Sequence, residues 1–340
     1  MAGGEFALIE QLRSRLGKAG KGVRLGIGDD AAWLDPAGRQ LVATMDTLVA
    51  DRHFFPDVRP YDLAWKALAV NLSDLAAMGA EASWCLLSLA LPPREAGYGA
   101  WMEDFMAGWR ALAERHDITL VGGDTVATDG PLTLSVTALG LVDQSVMRRD
   151  AARPGDMVWV TGSLGDAAAA LDLALVERGR EGQGFPCSAA QREALEARRL
   201  RPMPRLEFGE AAAACGVCCA MDCSDGFLAD LSHILEASGV HAQIALDALP
   251  LSRELMDLAG EDPERWQRWP LTGGDDYELI LCAPPALAAP LRQAAAAQSL
   301  RLTAVGRILP TALDMPAAVT MTWRDRVMPL PTTWGHVHAL

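Results

Sequence analysis

The chain is poor in features that would assign it to a common class. Its 340 residues contain no block of five or more basic side chains, and 44 acidic against 30 basic residues give a formal net charge of −14. Nucleic-acid binding draws its affinity from clustered lysine and arginine. The charge balance therefore argues against a protein that reads a phosphate backbone, and we expect no nucleic-acid partner.

Long apolar runs and targeting signals are also missing. The most apolar run, 85–91, is far shorter than the roughly 20 residues that a membrane helix needs. The first residues show neither a basic segment nor an apolar one, so no secretion signal is expected. Seven cysteines, four of them crowded between Cys215 and Cys223, do not form a secreted disulfide pattern. We expect a cytoplasmic protein with no membrane partner.

What the chain does have is the composition of a globular α/β protein. Half of its residues are hydrophobic and 22% are charged, and at roughly 150 residues per domain the length predicts about two domains. Helical and strand-like apolar patterns alternate, which predicts an α/β or mixed α+β class. Helices are predicted at 5–16, 61–78, 100–115 and 224–237, and strands at 40–44, 118–121, 132–139 and 157–160. We predict domains at 1–145 and 150–312, followed by a tail at 313–340.

Aspartates recur at the ends of apolar runs, beside glycine, serine or threonine. The six places are 28–30, 45–47, 71–74, 122–125, 222–226 and 273–276. A strand end delivers its side chain to the sheet edge where α/β folds bind ligands, and a neighbouring glycine lets a phosphate come close. The alternative is that aspartate and glycine are ordinary turn residues. An ordinary turn explains any single one of these places well, but it explains the recurrence at all six less well.

The position of Asp74 adds weight to a functional interpretation. It lies inside an apolar helix and shares a stripe with Ala67 and Asn71, so it is predicted to face something polar. Clustered carboxylates raise each other's pKa and need cations to stay ionised. Hard oxygen ligands select Mg²⁺ or Mn²⁺. We therefore predict a site that holds several metal ions and handles phosphate.

These segments together resemble the thiamine-monophosphate kinase family, within the wider group of aminoimidazole-ribonucleotide-synthetase-like ATP enzymes. The segments that carry the resemblance are 26–31, 46–54, 66–79, 122–125, 149–162, 201–202, 222–226 and 273–279. The resemblance implies a two-domain α/β fold that forms a homodimer through its N-terminal sheet domain. It also implies transfer of a phosphoryl group from ATP to thiamine monophosphate, giving ADP and thiamine diphosphate, with several Mg²⁺ ions that Mn²⁺ can replace.

The resemblance also implies roles for particular residues. The metal contacts it implies are Asp30, Thr44, Met45, Asp46, Asp74, Asp124, Asp222 and Asp225. The ATP contacts are Gly123, Asp124, Arg149, Ser224 and His116, and the contacts to thiamine monophosphate are His53, Asp275 and Trp334. Asp46, Asp124 and Arg149 are the residues implied in catalysis. Some positions depart from the family pattern. Met45 replaces a serine or threonine, leaving a backbone carbonyl, and Asp275 replaces a glutamate. The tail at 333–338 matches the family ending only loosely, and His116 stands where the family often has an aromatic residue.

The chemistry expected of such a site is direct phosphoryl transfer. The acceptor is a phosphate monoester with a second pKa near 6, so it is already anionic at pH 7 and needs no general base. We expect in-line transfer without a phosphoenzyme, and we expect the helix start at 224–226 to offer amides to an anion.

Two alternatives stay open on the sequence alone. One is another ATP enzyme of the same fold, such as a selenophosphate synthetase or a formylglycinamidine-ribonucleotide cyclase. The other is a non-catalytic paralogue that binds nucleotide or metal.

Overall fold

A computed structural model of the chain describes residues 12–16, 20–27, 31–94, 97–143, 146–182, 184–311 and 318–331. It divides into two units, residues 1–75 with 80–144 and residues 76–79 with 145–340. Each unit contains its own sheet together with helices, which confirms the predicted mixed α/β class. In the described ranges we find no helix with both the length and the apolarity to cross a bilayer.

The first unit is built on a four-stranded sheet in the order β3–β6–β4–β5. Its strands are β3 (Gln40–Val49), β4 (Glu81–Leu91), β5 (Thr119–Ala127) and β6 (Thr133–Val142). β4 and β5 run parallel, and the other pairs are antiparallel. A small antiparallel pair, β1 (Val23–Leu25) and β2 (Trp33–Leu34), belongs to the same unit.

The longest helices of this unit within the described residues are α1 (Pro60–Ala77) and α2 (Gly99–Arg115). The predicted stripe on α2 is confirmed, since Met102, Phe105, Trp109 and Leu112 are all fully buried. The helices approach closely at Gly108, where a Cβ atom would stand 2.0 Å from the carbonyl oxygen of Tyr61. Only glycine permits that contact.

The second unit contains a seven-stranded sheet in the order β13–β12–β9–β11–β7–β10–β8. Its strands are β7 (Met157–Thr161), β8 (Cys219–Cys223), β9 (Val240–Ala245), β10 (Glu278–Ala283), β11 (Leu302–Pro310), β12 (Val319–Trp323) and β13 (Arg326–Met328). Its α-helices are α3 (Asp166–Glu177), α4 (Ala189–Leu200), α5 (Leu206–Ala214), α6 (Phe227–Ser238), α7 (Arg253–Ala259), α8 (Pro263–Trp266) and α9 (Ala288–Ala297). β12 and β13 lie in the region predicted as a tail.

The cysteines are buried thiols for the most part, and all seven are free. Cys219 of β8 stands directly opposite Cys282 of β10, and both are almost completely buried. Cys218, in contrast, is exposed.

Several predicted bounds are wrong in an informative way. β3 and β5 continue through 45–47 and 122–125, which were predicted as turns after the strands. The helix predicted from 224 begins at Phe227, because residues 224–226 form a turn. Of the helix predicted at 5–16, only the part from Leu12 to Leu16 lies within the described residues, and it is helical.

Candidate active site

A pair of carboxylates lies between β3 and α1. The hydroxyl of Thr44 donates a hydrogen bond to Oδ2 of Asp74 at 2.5 Å, and the Asp46 carboxyl lies beside the same group. Burial, followed by the charge and hydrogen bonding of Asp74, raises the pKa of Asp46 to about 6. Two partly buried carboxylates this close require either a shared proton or a bound cation.

Asn71 holds the backbone next to this pair. Its side chain is fully buried, its oxygen accepts from the Asp46 amide at 3.0 Å, and its amide group donates to the Ala67 carbonyl at 3.0 Å. The predicted polar environment of the helix stripe is therefore confirmed, because Asn71 and Asp74 both contact β3. Sequence analysis gave Asn71 no separate role, although its spacing from Asp74 was the available signal.

Asp124 lies on the opposite face of the same sheet. It pairs with Ser88, which pairs with Ser135, which pairs with Thr47, and the Thr47 and Ser135 hydroxyls are 2.7 Å apart. Successive side chains on a strand point to opposite faces, so Asp46 faces away from this row. The Asp46 and Asp124 side chains therefore leave opposite faces of the sheet, and their joint role in metal binding stays a prediction.

The face that carries Asp124 borders a cavity of about 710 Å³. Gly123 lies on its wall, where a Cβ atom would stand 1.9 Å from the carbonyl oxygen of Leu87, so only glycine fits. Met45 also lines this cavity and is 65% exposed. The Met45 side chain therefore does not join the Asp46–Asp74 pair, and a metal contact through its carbonyl stays a prediction.

Two histidines of this unit were assigned contacts by resemblance. Nδ1 of His53 accepts from the Val49 amide at 3.0 Å, so the neutral ring carries its proton on Nε2. His116 follows the last residue of α2, and its amide donates to the Leu112 carbonyl at 3.3 Å. Their contacts with thiamine monophosphate and with adenine stay predictions.

In the second unit, an acidic turn follows β8. Asp222 is buried near the end of that strand, and Ser224 and Asp225 come directly after it. The Ser224 carbonyl accepts from the Asp275 amide, and the Cys223 carbonyl accepts from the Tyr277 amide, both at 2.8 Å. The fold thus brings two of the predicted acidic segments, 222–226 and 273–276, together within this unit.

The loop that carries Asp275 is strained. Asp275 and Tyr277 have φ values of 71° and 52°, in the left-handed region that aspartate tolerates better than a bulky side chain does. The Tyr277 hydroxyl donates to Oδ1 of Asp275 at 3.1 Å. Strain of this kind persists where the surrounding structure enforces it, and it clusters at functional sites.

The amides of the turn at 224–226 are already occupied. Those of Ser224, Asp225 and Gly226 all donate to Oδ2 of Asp230, at 2.9, 3.1 and 3.1 Å. The expectation that these amides bind a substrate anion is therefore wrong, because a carboxylate of the chain itself fills that position. Burial, with the charge of Asp225 second, raises the pKa of Asp230 to about 7.

A buried ion pair that sequence analysis missed lies next to this turn in the sheet. Arg205 donates to both oxygens of Glu278, at 2.7 and 2.5 Å, and Thr161 donates to Oε2 of Glu278 at 2.7 Å. Glu278 stands opposite Cys223 in the register of β10 and β8. The pair therefore supports the strand from which the acidic turn emerges.

The remaining predicted residues are placed as follows. Arg149 is exposed, and its carbonyl accepts from the Ser238 hydroxyl at 2.9 Å. Asp30 and Trp334 lie outside the described residues.

Within the part of the chain that is described, no three His, Cys, Asp or Glu side chains form a ready-made metal cluster. The Asp46–Asp74 pair with Thr44 still fits Mg²⁺, which prefers one or two carboxylates together with waters and substrate phosphates.

Comparison with known proteins identifies the family. Residues 28–142 match AIR synthase related protein, N-terminal domain, and residues 153–313 match the C-terminal domain of the same family. The chain is thus an AIR synthase related protein with both domains.

More specific relatives share most of its length. The thiamine-monophosphate kinase of Escherichia coli (strain K12) is 43% identical over 286 residues, 84% of each chain. A crystal structure of thiamine-monophosphate kinase from Stenotrophomonas maltophilia K279a is 45% identical with a TM-score of 0.80, covering 93% of this chain and 96% of that one. The structure of AaThiL complexed with AMPPCP and TMP is 30% identical with a TM-score of 0.71, covering 98% and 97%. The chain belongs to the thiamine-monophosphate kinase family, a family of phosphotransferases, and the resemblance is confirmed.

Proposed function

We propose that this protein transfers the γ-phosphoryl group of ATP to thiamine monophosphate, giving ADP and thiamine diphosphate. The observation that carries the proposal is the Asp46–Asp74 carboxylate pair with Thr44, in a chain whose relatives are thiamine-monophosphate kinases across both domains. The AaThiL complex, which holds AMPPCP and TMP, supports ATP and thiamine monophosphate as the two ligands.

Magnesium is the metal that the donor set favours. Thr44, Asp46 and Asp74 would hold it in the first unit, Asp222 and Asp225 would hold it in the second, and Asp30, Met45 and Asp124 complete the proposed contacts. Bound divalent ions supply positive charge to phosphate oxygens that otherwise repel one another. Mn²⁺ offers similar coordination and would substitute.

The protein's own groups act by binding and orientation. The exposed guanidinium of Arg149 would donate paired hydrogen bonds to phosphate oxygens, while Gly123, Ser224 and His116 would contact the nucleotide. Nε2–H of His53 would donate to the phosphate of the acceptor. Asp275 would contact the same substrate, and Trp334 would close over it. Because the acceptor phosphate is already anionic, it needs no general base. Its oxygen would attack the γ-phosphorus of ATP directly, with ADP leaving, so that no phosphoenzyme forms.

The proposed assembly is a homodimer through the first unit's sheet. Leu41, Met45 and Val126 expose 54, 65 and 47% of their surface on this sheet, and Met45 lies on the face that carries Asp124. Exposed apolar side chains on one sheet mark a protein interface. We place the protein in the cytoplasm, where its seven free thiols stay reduced.

One incubation tests the activity. The protein is mixed with ATP, Mg²⁺ and thiamine monophosphate, and ADP and thiamine diphosphate are expected in equal amounts. Bound ATP without turnover would indicate the non-catalytic alternative, and selenide-dependent release of AMP would indicate a selenophosphate synthetase. Trapping a covalently phosphorylated protein after addition of ATP would contradict direct transfer.

A further inference from the structure

Asp230 occupies an unusual position in the first turn of α6. It is fully buried, and its Oδ2 atom accepts three successive backbone hydrogen bonds from residues 224–226. A carboxylate that gathers three amides fixes the path of the backbone far more tightly than a single cap bond does. The side chain thus reaches back from the helix to shape the turn before it.

The other oxygen of Asp230 makes this arrangement costly. Oδ1 is buried, and among the described residues no N–H or O–H group donates to it. The Cys223 thiol, a weak donor, interacts with this carboxyl group. A buried polar atom without a strong donor destabilises the fold, so its presence in a native structure calls for an explanation. The neighbouring Asp225 adds a like charge, so stability alone does not account for a carboxylate here.

The turn that Asp230 holds carries the side chains proposed to contact metal and nucleotide. Gly226 has a φ of 120° and lies against the backbone of Thr272, where a Cβ atom would stand 2.9 Å from the carbonyl carbon. Asp225 and Ser224 are thus held between Asp230 on one side and the 272–277 loop on the other.

Resting on the function proposed above, we propose that Asp230 is a positioning residue for phosphoryl transfer. By filling the amides of 224–226, it prevents a phosphate from binding there and directs the Ser224 and Asp225 side chains toward cation and nucleotide. The backbone amides of this turn are in this way closed to anions, and its side chains make the proposed contacts. Asp230 itself touches neither substrate.

Two substitutions of similar size separate this role from plain stability. Asp230→Leu removes the acceptor and should raise the half-saturating Mg²⁺ concentration about 10- to 100-fold. Asp230→Asn keeps an acceptor oxygen for the three amides and should retain the wild-type value. The control is Asp172→Leu, since Asp172 is a buried carboxylate of the same unit that accepts from Arg268 and Trp269. It should lower the melting temperature and leave the Mg²⁺ dependence of the folded protein unchanged.

The proposal is overturned if Asp230→Leu keeps the wild-type Mg²⁺ dependence, or if Asp230→Asn shifts it as far as Asp230→Leu does. Should Asp230→Leu fail to fold, Asp230→Glu replaces it, because the longer side chain displaces the same oxygen while keeping its charge. If the wild type does not phosphorylate thiamine monophosphate, the proposed function fails. In that case, calorimetry measures the affinity of the same variants for AMPPCP at a series of Mg²⁺ concentrations. The proposal is again overturned if Asp230→Leu shows the wild-type Mg²⁺ dependence, or if Asp230→Asn shifts it as far as Asp230→Leu does.

Discussion

The Thr44 hydroxyl and the Asp74 carboxylate are joined by a 2.5 Å hydrogen bond from the sheet to the helix, with Asp46 beside them. This contact places a hydroxyl and two carboxylates at one point of the first unit. The surroundings of Asp46 disfavour its ionised form. Replacing Asp46 should therefore lower the catalytic rate without lowering the stability of the metal-free protein.

Asp46→Asn is expected to reduce kcat by about a hundredfold, because the carboxylate proposed to hold a cation at the reacting phosphates is lost. The melting temperature of the metal-free protein should rise, since a repelled carboxylate becomes neutral. Asp104→Asn is the control in the same unit. Asp104 accepts two hydrogen bonds from Arg59, which lower its pKa, so its loss should reduce stability and spare kcat. A drop in melting temperature for Asp46→Asn would contradict the assignment.

The pH dependence of stability in the metal-free protein follows from the same carboxyl. Its folded-state pKa of about 6 lies above the ordinary value of 3.8, so the folded state binds the proton more tightly than the unfolded state does. Stability should therefore fall as pH rises from about 4 to about 6, by at most about 3 kcal/mol from this group. Urea unfolding across this range, compared with Asp46→Asn, isolates the effect. Parallel curves for the two proteins would refute it.

The buried pair of Arg205 and Glu278, which are not themselves proposed ligand contacts, predicts a large effect on stability. Arg205→Ala leaves the Glu278 carboxylate buried without its main partner and should cost about 3 kcal/mol of unfolding free energy. Arg148→Ala breaks an exposed ion pair with Asp150 in the same unit and should change nothing measurable. Equal effects of the two substitutions in chemical denaturation would show that burial is not the cause.

The exposed sheet of the first unit predicts the oligomeric state. Leu41→Lys places a charge on this sheet and should convert a dimer into a monomer, observed by sedimentation. Met256→Lys is the matched control, because Met256 is a comparably exposed apolar side chain on α7 of the other unit. The Met256→Lys variant should remain a dimer. A Leu41→Lys variant that remains dimeric would place the interface elsewhere.

Asp275 predicts a specific effect on one substrate. Asp275→Asn keeps a side chain that tolerates the left-handed backbone and removes only the charge. KM for thiamine monophosphate should rise while KM for ATP and the melting temperature stay unchanged. An increase confined to ATP would assign Asp275 to the nucleotide instead.

Sequence patterns predicted the two long helices of the first unit, α1 and α2, best, because their apolar stripes are long and regular. Most helices of the second unit were not predicted. The stripe of Met102 to Leu112 fixes α2 within one residue at its start. The sequence patterns gave a wrong prediction at 122–125. Glycine and aspartate are typical turn residues, but pairing with β4 keeps this segment in a strand. Nor could the patterns show that Asp46 and Asp124 leave opposite faces, since that depends on how far each strand extends. The roles of Asp230 and of Arg205 with Glu278 depend on contacts between segments that no local pattern encodes.

The facing cysteines of β8 and β10 give the protein a built-in reporter of its own opening. Cys219 and Cys282 are sealed inside the second sheet, whereas Cys218 next to them is exposed. A thiol reagent will modify Cys218 at once and will reach the facing pair only when the core packed over that face of the sheet opens. The delay between the two reactions measures how often the centre of that sheet opens by local unfolding.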